Sequence, residues 1–404
     1  ENDDFNKASI ETYFHPHDLG GIFSITSADI SINDSIWYVS PNNFVDVSDG
    51  RVNISNLMFS HKDQTIRVDG FSPMQEGDTL SVQMRKFDIS NFDFIFQNKG
   101  FDIDGFVSGD AMLSSLKTNP MILADIGVDK LGVNGEQIGN AAIVSSWDNE
   151  DRFVEVDANI FNQDKRMLNV YGMYYTEKED NLDFTVTLDS LRLVTFSPFL
   201  VGVVSRMQGY GNGRVDVGGS LKAPVIQGKI EMVDSGCKIN YLNTFYTFEP
   251  TILVDNKSIS FENMVLTDTL GHKAAVEGRI NHDGFKDFSL DLKIHPRDFL
   301  ALATTSQEND SFYGSAVANG LITIKGPFDN IYLGIKALTR KGTELTIPLN
   351  RASTVKENDF IVFVNHNAVE EEEEPVVTMP KKKSIFSLDL DVDATNDASL
   401  KIIL

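Results

Sequence analysis

The composition of this 404-residue chain excludes several functions before any motif is considered. A formal net charge of −24 argues against binding to nucleic acid, whose phosphates demand clustered Lys and Arg, and against electrostatic adhesion to an anionic membrane surface. The single cysteine, Cys237, excludes an intramolecular disulfide and a multi-cysteine metal site. The sequence has no apolar run that approaches the roughly 18 residues of a membrane-spanning helix.

Alternating apolar and polar residues predict strands along nearly the whole chain, which places it in the all-β class. Residues 1–85 contain several such segments, separated by turn signals. The segment 182–193 is a clear example, because Asp183 and Asp189 fall on one face and the apolar residues fall on the other. Its predicted apolar face consists of Phe184, Val186 and Leu188.

Two segments predict short helices between the strands. Residues 196–207 carry apolar residues at helical spacing, with Ser197 placed as the N-cap and Pro198 as the first helical residue. Residues 295–304 resemble the same element one repeat later, again with a proline near the start. We therefore expect two or three short helices that interrupt the strands about once per repeat.

Glycines recur with a period near 105 residues, and such a period predicts a repeated architecture. In the central stretch 209–241, a glycine-dense strand is followed by a turn through Pro224 and a second alternating strand. We predict that the repeated glycines permit bulges and tight curvature in a bent sheet. They are Gly105, Gly109, Gly209, Gly213, Gly219, Gly320 and Gly326.

The C-terminal part repeats the one-sided strand pattern on both sides of a polar interruption. The predicted apolar faces are Phe288, Leu290, Leu292 and Ile294 in one strand and Phe386, Leu388, Leu390 and Val392 in the other. Residues 365–383 lie between these strands and contain a run of glutamates and a run of lysines. We expect this insertion to be disordered, because blocks of like charge are usually solvated.

The sequence predicts no catalytic residue, no cofactor and no metal site, and nothing in it demands an enzyme. The glycines of 209–213 lead into a strand, whereas a nucleotide-binding loop leads into a helix. The acidic residues of 389–393 resemble the start of a calcium loop, but Ala394 stands where that loop requires glycine. His15 and His17 have a proline between them and no nearby third ligand.

The strands raise the question of what covers their apolar faces. In ordinary α+β proteins helices cover such a face, and this chain has too few helices to do so. The face must therefore close as a sandwich or barrel, stack as a solenoid, or be covered by something that is not protein.

From about residue 186 onward the chain resembles the C-terminal domain of the TamB family, the translocation and assembly module component of Gram-negative bacteria. The matching stretches include a glycine strand with a GSLKAP turn and an IQGKIEM strand, followed by NKSISFENMVLTDTLGHKAAVEGRI, FSLDLKI, FYGSAVANGLITIKGP and KGTELTIPL. Residues 1–190 agree with the family only in style, so we divide the chain into a weaker β-groove segment over 1–190 and a TamB-like segment over 191–404. We also expect the chain to be a fragment of a longer protein.

The resemblance implies a long antiparallel sheet curled into a half-pipe, or β-taco, with an apolar interior. Family members, like the related AsmA-like and bridge-type lipid-transfer proteins, are linked to outer-membrane biogenesis and to phospholipid movement across the periplasm. The resemblance therefore implies phospholipid acyl chains as ligands, a TamA-like outer-membrane barrel or a lipoprotein equivalent as partner, and an inner-membrane anchor outside this sequence.

Two further functions stay open at this point. The chain could be a scaffold that presents sheet edges to nascent outer-membrane strands, such as those of autotransporters, since unpaired edges template strand pairing. Alternatively, a closed β-sandwich or solenoid would make it an adhesin or a sugar-binding protein. A closed core would bury the predicted lining residues almost completely, whereas a groove would leave them lining a cavity.

Overall fold

The computed structural model describes residues 7–403 except 33–34, 73, 93–101, 118–120, 134, 201–202, 285, 310–311, 328 and 349–384. The described part is almost entirely strand, with three short 3-10 helices, and the predicted all-β class is confirmed. The predicted insertion 365–383 lies outside the described residues. The chain forms two compact units, one of Glu1–Thr187 with Asp216–Pro224 and the other of Leu188–Val215 with Val225–Leu404.

In the first unit, antiparallel strands pair mostly with their neighbours in sequence, and from β4 to β12 each strand pairs with the next. The 3-10 helix η1 (Ile89–Phe92) follows β7. The strands are β1 (Lys7–His17), β2 (Gly20–Ile32), β3 (Ser35–Val39), β4 (Phe44–Ser48), β5 (Arg51–His61), β6 (Gln64–Phe71), β7 (Thr79–Asp88), β8 (Ile103–Ser114), β9 (Met121–Val133), β10 (Glu136–Asp148), β11 (Phe153–Asn162) and β12 (Lys165–Tyr175).

Three long strands contribute residues to both units: β13 (Leu182–Arg192), β14 (Val204–Ser220) and β15 (Ala223–Ile239). The second unit also contains the 3-10 helices η2 (Leu193–Leu200) and η3 (Asn240–Leu242). Its other strands are β16 (Thr244–Phe248), β17 (Thr251–Val254), β18 (Ser258–Glu262), β19 (Val265–Thr267), β20 (Lys273–Asp283), β21 (Lys286–Arg297), β22 (Phe299–Thr304), β23 (Tyr313–Pro327), β24 (Asn330–Thr339), β25 (Glu344–Pro348), β26 (Ile385–Asp393) and β27 (Ser399–Ile403).

Two strand pairs in the second unit depart from the predicted antiparallel sheet. β26 runs parallel to β24, and β27 runs parallel to β25. Parallel neighbours need a crossover connection of about a dozen residues or more, whereas a tight turn is enough for an antiparallel pair. Residues 349–384, which connect β25 to β26, are long enough for such a crossover. Alternation in the sequence reports which face is apolar, and it does not report the direction of the neighbouring strand.

The predicted helices are largely replaced by other structure. The prediction of a helix over residues 295–304 is wrong, because these residues form the end of β21 and all of β22. Over residues 196–207, the 3-10 helix η2 ends at Leu200 and β14 begins at Val204. The error at 295–304 has a physical cause in a bulge at Asp298, whose φ is 49°. Because a bulge shifts the alternation by one residue, the apolar residues around it imitate helical spacing.

Bulges of this kind recur in both units. At six of them, a non-glycine residue adopts the left-handed conformation, and its backbone N–H donates to a polar side chain on, or directly after, a neighbouring strand. A bulge removes one N–H from the sheet ladder, and the side chain satisfies that donor. The donor and acceptor pairs are Asn56 with Asp69, Lys86 with Ser108, Lys130 with Asn140, Ser190 with Asn212, Asp234 with Glu249, and Asp298 with Asn319.

In four of these pairs the acceptor directly precedes a glycine that lies against the next strand. The four dipeptides are Asp69-Gly70, Ser108-Gly109, Asn212-Gly213 and Asn319-Gly320. A Cβ atom on Gly109, Gly213 or Gly320 would lie 2.0, 2.2 or 2.0 Å from a backbone carbonyl oxygen of the adjacent strand. The three oxygens belong to Asp125, Lys229 and Lys336, each the same number of residues further along the chain. The glycine period therefore corresponds to one repeated geometry, a capped bulge beside a close backbone approach.

Removing one of these caps should destabilise the protein. In Asn212→Ala the N–H of Ser190 loses its acceptor, the Asn212 Oδ1 atom 2.7 Å away. We expect the free energy of unfolding to fall by about 1–2 kcal/mol, the usual result when a partly buried donor is left unsatisfied. Urea denaturation would measure the change. Asn212→Asp keeps the acceptor and should retain most of the stability; equal losses in the two variants would contradict the capping role.

Buried residues of the second unit gather where the strands bend at the bulges. At three bulges, the residue that follows the left-handed residue is buried in the interior. These buried residues are Leu191 after Ser190, Ser235 after Asp234, and Phe299 after Asp298. We call the region of the second unit that carries these three bulges the bulged rim. The first unit has the same arrangement at Lys86, where Phe87 is buried and its ring lies 5.7 Å from that of buried Trp37.

Candidate functional site

The second unit carries a continuous apolar face across β20, β21, β23, β24 and β26. The strand registers place apolar residues opposite one another in lateral rows. One row is Val276, Ile294, Ile322, Ile335 and Leu390, and the next is Leu292, Ile324, Leu333 and Leu388, with Gly278 opposite Leu292. Beyond these rows, Leu290 lies between Ile280 and Gly326, and Ile331 lies opposite Phe386. No charged residue interrupts these rows.

Most described side chains of this face are half-buried or exposed, and Val276, at one end of its row, is buried. Leu292, Ile324 and Leu333, at the centre of the face, are half-buried. On β26, Leu390 is 53% exposed and Val392 is 39% exposed. Among the predicted lining residues with described side chains, none is buried. A closed sandwich would bury such residues nearly completely. The face is therefore accessible to an apolar ligand.

The opposite face of the same strands is polar. Lys325 and Asp291 are directly opposed on β23 and β21, with their charged groups 3.7 Å apart. The hydroxyl of Tyr332 donates to the carboxylate of Asp389 over 3.3 Å. Asp391 and Asp393 are exposed on the same side. The sheet thus has one face that water solvates well and one that it does not.

An aromatic cluster bounds the apolar face at the bulged rim. The rings of Tyr246 and Phe299 stack with their centroids 4.9 Å apart and form one buried cluster with Ala274. The Tyr246 hydroxyl donates to the carbonyl of Leu300 over 3.0 Å, and burial raises the pKa of Tyr246 to about 12. Ile294, which lies beside Val276 in its row, packs against this cluster. Protein side chains therefore fill the rim and leave the rest of the face open.

A buried carboxylate holds this rim together. Asp268 accepts hydrogen bonds from the backbone N–H groups of Leu270, His272 and Leu300 at 2.8, 2.8 and 2.7 Å. Three donors compensate a carboxylate for the loss of water. The bond to Leu300 ties β22 to the turn between β19 and β20, so it fixes Phe299 beside Tyr246.

The first unit carries an apolar face of its own. Its registers align apolar residues across β5 to β12, and most of these side chains are half-buried. One row is Phe59, Ile66, Met84, Ile126, Ile143, Ala158 and Val170, with Gly109 between Met84 and Ile126. The opposite face is polar here too, as in the hydrogen-bonded group of Asp157, Asn159 and Asn169.

Comparison with known families decides the identity of the C-terminal part. Residues 262–403 match the family model of the TamB C-terminal domain. The chain contains a TamB C-terminal domain. The match begins at the end of β18 and takes in all five strands of the second unit's apolar face. Neither the curated proteins nor the solved structures contain a match to the chain.

The TamB domain connects the chain with the Gram-negative cell envelope, and with a role in outer-membrane protein assembly or lipid transport alongside an outer-membrane partner. No helix in the described ranges is long and apolar enough to cross a membrane. Within the same ranges, no three His, Cys, Asp or Glu side chains are grouped to hold a metal ion.

The structure brings two of the three predicted apolar strand faces together. Phe288, Leu290, Leu292 and Ile294 lie on β21 of the TamB domain, and Phe386, Leu388, Leu390 and Val392 occupy register positions on β26. On β13, Phe184, Val186 and Leu188 are half-buried, while Asp183 and Asp189 are exposed. Of the repeat glycines, Gly105, Gly209, Gly219 and Gly326 have φ values of 142°, 99°, 74° and 103°.

Strands are predicted from the sequence over residues 312–325 and 331–338, and the structure has them, but their apolar residues were not predicted to line the face. β23 contributes Ile322 and Ile324, and β24 contributes Leu333 and Ile335. Their signal was present, because apolar residues alternate with polar residues or glycine along both strands. The capped bulges were also missed. Three of the six leave a trace in the sequence, a polar residue directly before a repeat glycine.

Proposed function

We propose that the apolar faces of this TamB-domain protein solvate the acyl chains of phospholipids and conduct them across the periplasm between the inner and outer membranes. The observation that carries this proposal is the continuity of an accessible apolar face, whose rows cross five strands of the second unit without a charged residue. A lipid that moves from strand to strand along such a face meets no polar barrier.

The hydrophobic effect supplies the driving force for lipid binding. Each methylene group that leaves water for an apolar surface gains about 0.8 kcal/mol, so a chain of many methylenes binds without a dedicated site. The polar head group can remain in water at the open edge of the sheet. Lipid movement requires no bond making or breaking, and for this reason we assign no catalytic residue.

The repeated bulges support a half-pipe as the form in which each unit presents its face. A bulge bends its strand and increases the local twist. Bulges that recur along one rim bend successive strands at the same edge, and a sheet bent in this way partly surrounds an acyl chain. The acidic outer surface would keep such a sheet soluble.

The match to the TamB domain supports a proposal for where the protein lies and what it contacts. We place the protein in the periplasm, with an inner-membrane anchor in a longer chain and a TamA-like barrel or a lipoprotein equivalent in the outer membrane. A pull-down of the barrel protein by the full-length protein would test this arrangement independently of lipid binding.

Purified protein should contain bound phospholipid. We expect organic extraction followed by mass spectrometry to find at least about one phospholipid per protein chain, because acyl chains that bind to the accessible apolar faces are removed from water. A soluble protein of similar size, purified from the same cells, provides the control. A stable, monomeric and lipid-free protein would overturn lipid conduction.

A further inference from the structure

The bulged rim of the second unit carries a patch of exposed apolar side chains that belongs to none of the rows described above. Phe196 and Leu200 on η2, Val203 beside β14 and Tyr241 on η3 are between 38% and 46% exposed. We call these four residues the rim patch. The N–H of Asn240 donates to the carbonyl of Val203 over 3.0 Å, which joins the two connections that carry them.

Three basic residues accompany the rim patch. Arg192 directly precedes η2, and Arg206 lies near the start of β14 with its guanidinium 5.6 Å from the centre of the Phe245 ring. Lys238 is directly opposed to the same phenylalanine across β15 and β16. Among the described residues, none of the three has a carboxylate within 4.0 Å.

Acidic residues are scarce around the rim patch, although they outnumber basic residues in the chain by 59 to 35. Neither residues 190–208 nor residues 235–248 contain an aspartate or a glutamate. The carboxylate of the nearby Glu308 accepts hydrogen bonds from the Asn243 side chain, over 3.0 Å, and from the backbone N–H and hydroxyl of Thr305. The rim patch is thus a local basic and apolar area on an acidic protein.

We infer that the rim patch docks on the surface of a phospholipid bilayer that contains anionic lipids. Exposed apolar side chains, a tyrosine and neighbouring Arg and Lys form the combination that suits the interfacial region, where apolar groups enter the acyl boundary and cations meet phosphates. Because charges separated by more than about 10 Å are screened at 0.1 M salt, the local basic residues govern the contact. The net charge of the whole chain does not.

A protein partner fits these observations less well. Phe196, Leu200 and Tyr241 stand on 3-10 turns, which offer neither a groove for a helix nor a strand edge for β-pairing, the two usual modes of peptide docking. Lipid phosphates would complement the three cations beside them. We therefore assign the surface to lipid, and a protein partner becomes an outcome of the test.

Vesicle flotation tests this inference. The chain would be mixed with vesicles of phosphatidylcholine alone or of phosphatidylcholine with phosphatidylglycerol. We expect flotation with the second and little with the first. Arg206→Gln and Lys238→Gln should each weaken binding to anionic vesicles about fivefold, and high salt should have the same effect. Phe196→Ser combined with Leu200→Ser should remove binding at either salt concentration.

Leu221→Ser combined with Lys222→Gln is the matched control, because these residues are an exposed apolar and an exposed basic side chain at the turn between β14 and β15. This control should float like the unaltered chain. Extracted phospholipid should be unchanged in every variant, since the rim patch lies outside the apolar rows; docking and lipid uptake can therefore fail separately. The inference would be overturned if the chain did not float with anionic vesicles, or if the rim variants floated as well as the control variant. It would also be overturned if the rim variants kept their flotation and lost self-association, since the rim patch would then bind protein.

Discussion

Ile324→Asp should abolish phospholipid binding to the second unit while leaving the protein folded. Ile324 lies at the centre of the apolar face, between Leu292 on β21 and Leu333 on β24. Placing an aspartate against acyl chains costs about 3 kcal/mol, which corresponds to a roughly hundredfold loss of binding. The site is half-buried and open to water, so we expect the free energy of unfolding to change by only about 1 kcal/mol.

The adjacent residue provides the control for this prediction. Thr323 lies on the polar face of β23, opposite Lys293. Thr323→Asp introduces the same charge into the same strand and should leave lipid content and stability unchanged. Lipid content would be measured by mass spectrometry of extracts, and stability by denaturant unfolding. If Ile324→Asp unfolds the protein, the face is the interior of a closed core, and lipid conduction is wrong.

The apolar face of each strand could be predicted from the sequence, but the residues that lie beside it on the neighbouring strands could not. Alternation at Leu290 and Leu292 predicted an apolar face because side chains in a strand change sides at every residue. That rule holds for each strand by itself. The alignment of Leu292 with Ile324 and Leu333 depends on register, which distant strands determine together. It became visible only in the structure.

The bulges mark where sequence reasoning failed. At Asp298 a single left-handed residue reverses the alternation, so that Phe299 is buried directly after it. Asparagine and aspartate tolerate this conformation, but Lys86 and Ser190 adopt it as well, so residue type alone does not reveal it. The deciding partner is a side chain on another strand, as with Asn319 for Asp298.

The repeat glycines were predicted to permit curvature, and their geometry gives that role a measurable form. Gly213→Ala should destabilise the protein severely, because its Cβ atom would lie 2.2 Å from the carbonyl oxygen of Lys229 and 2.8 Å from the Cα atom of Ile230. The backbones of β14 and β15 would have to move apart to make room for this atom. We expect a loss of about 3 kcal/mol, at the upper end of the cost of overpacking.

Gly211→Ala is the matched control on the same strand. Its Cβ atom would meet the Ile230 side chain at 3.5 Å, an ordinary contact, so stability should change by less than about 1 kcal/mol or should rise slightly. Denaturant unfolding of both variants measures the difference. A repeat that used glycine merely for flexibility would make the two substitutions equally costly. A large loss confined to Gly213 would instead mean that the close approach of β14 to β15 requires a residue without a side chain, and that the period in the sequence is the period of this approach.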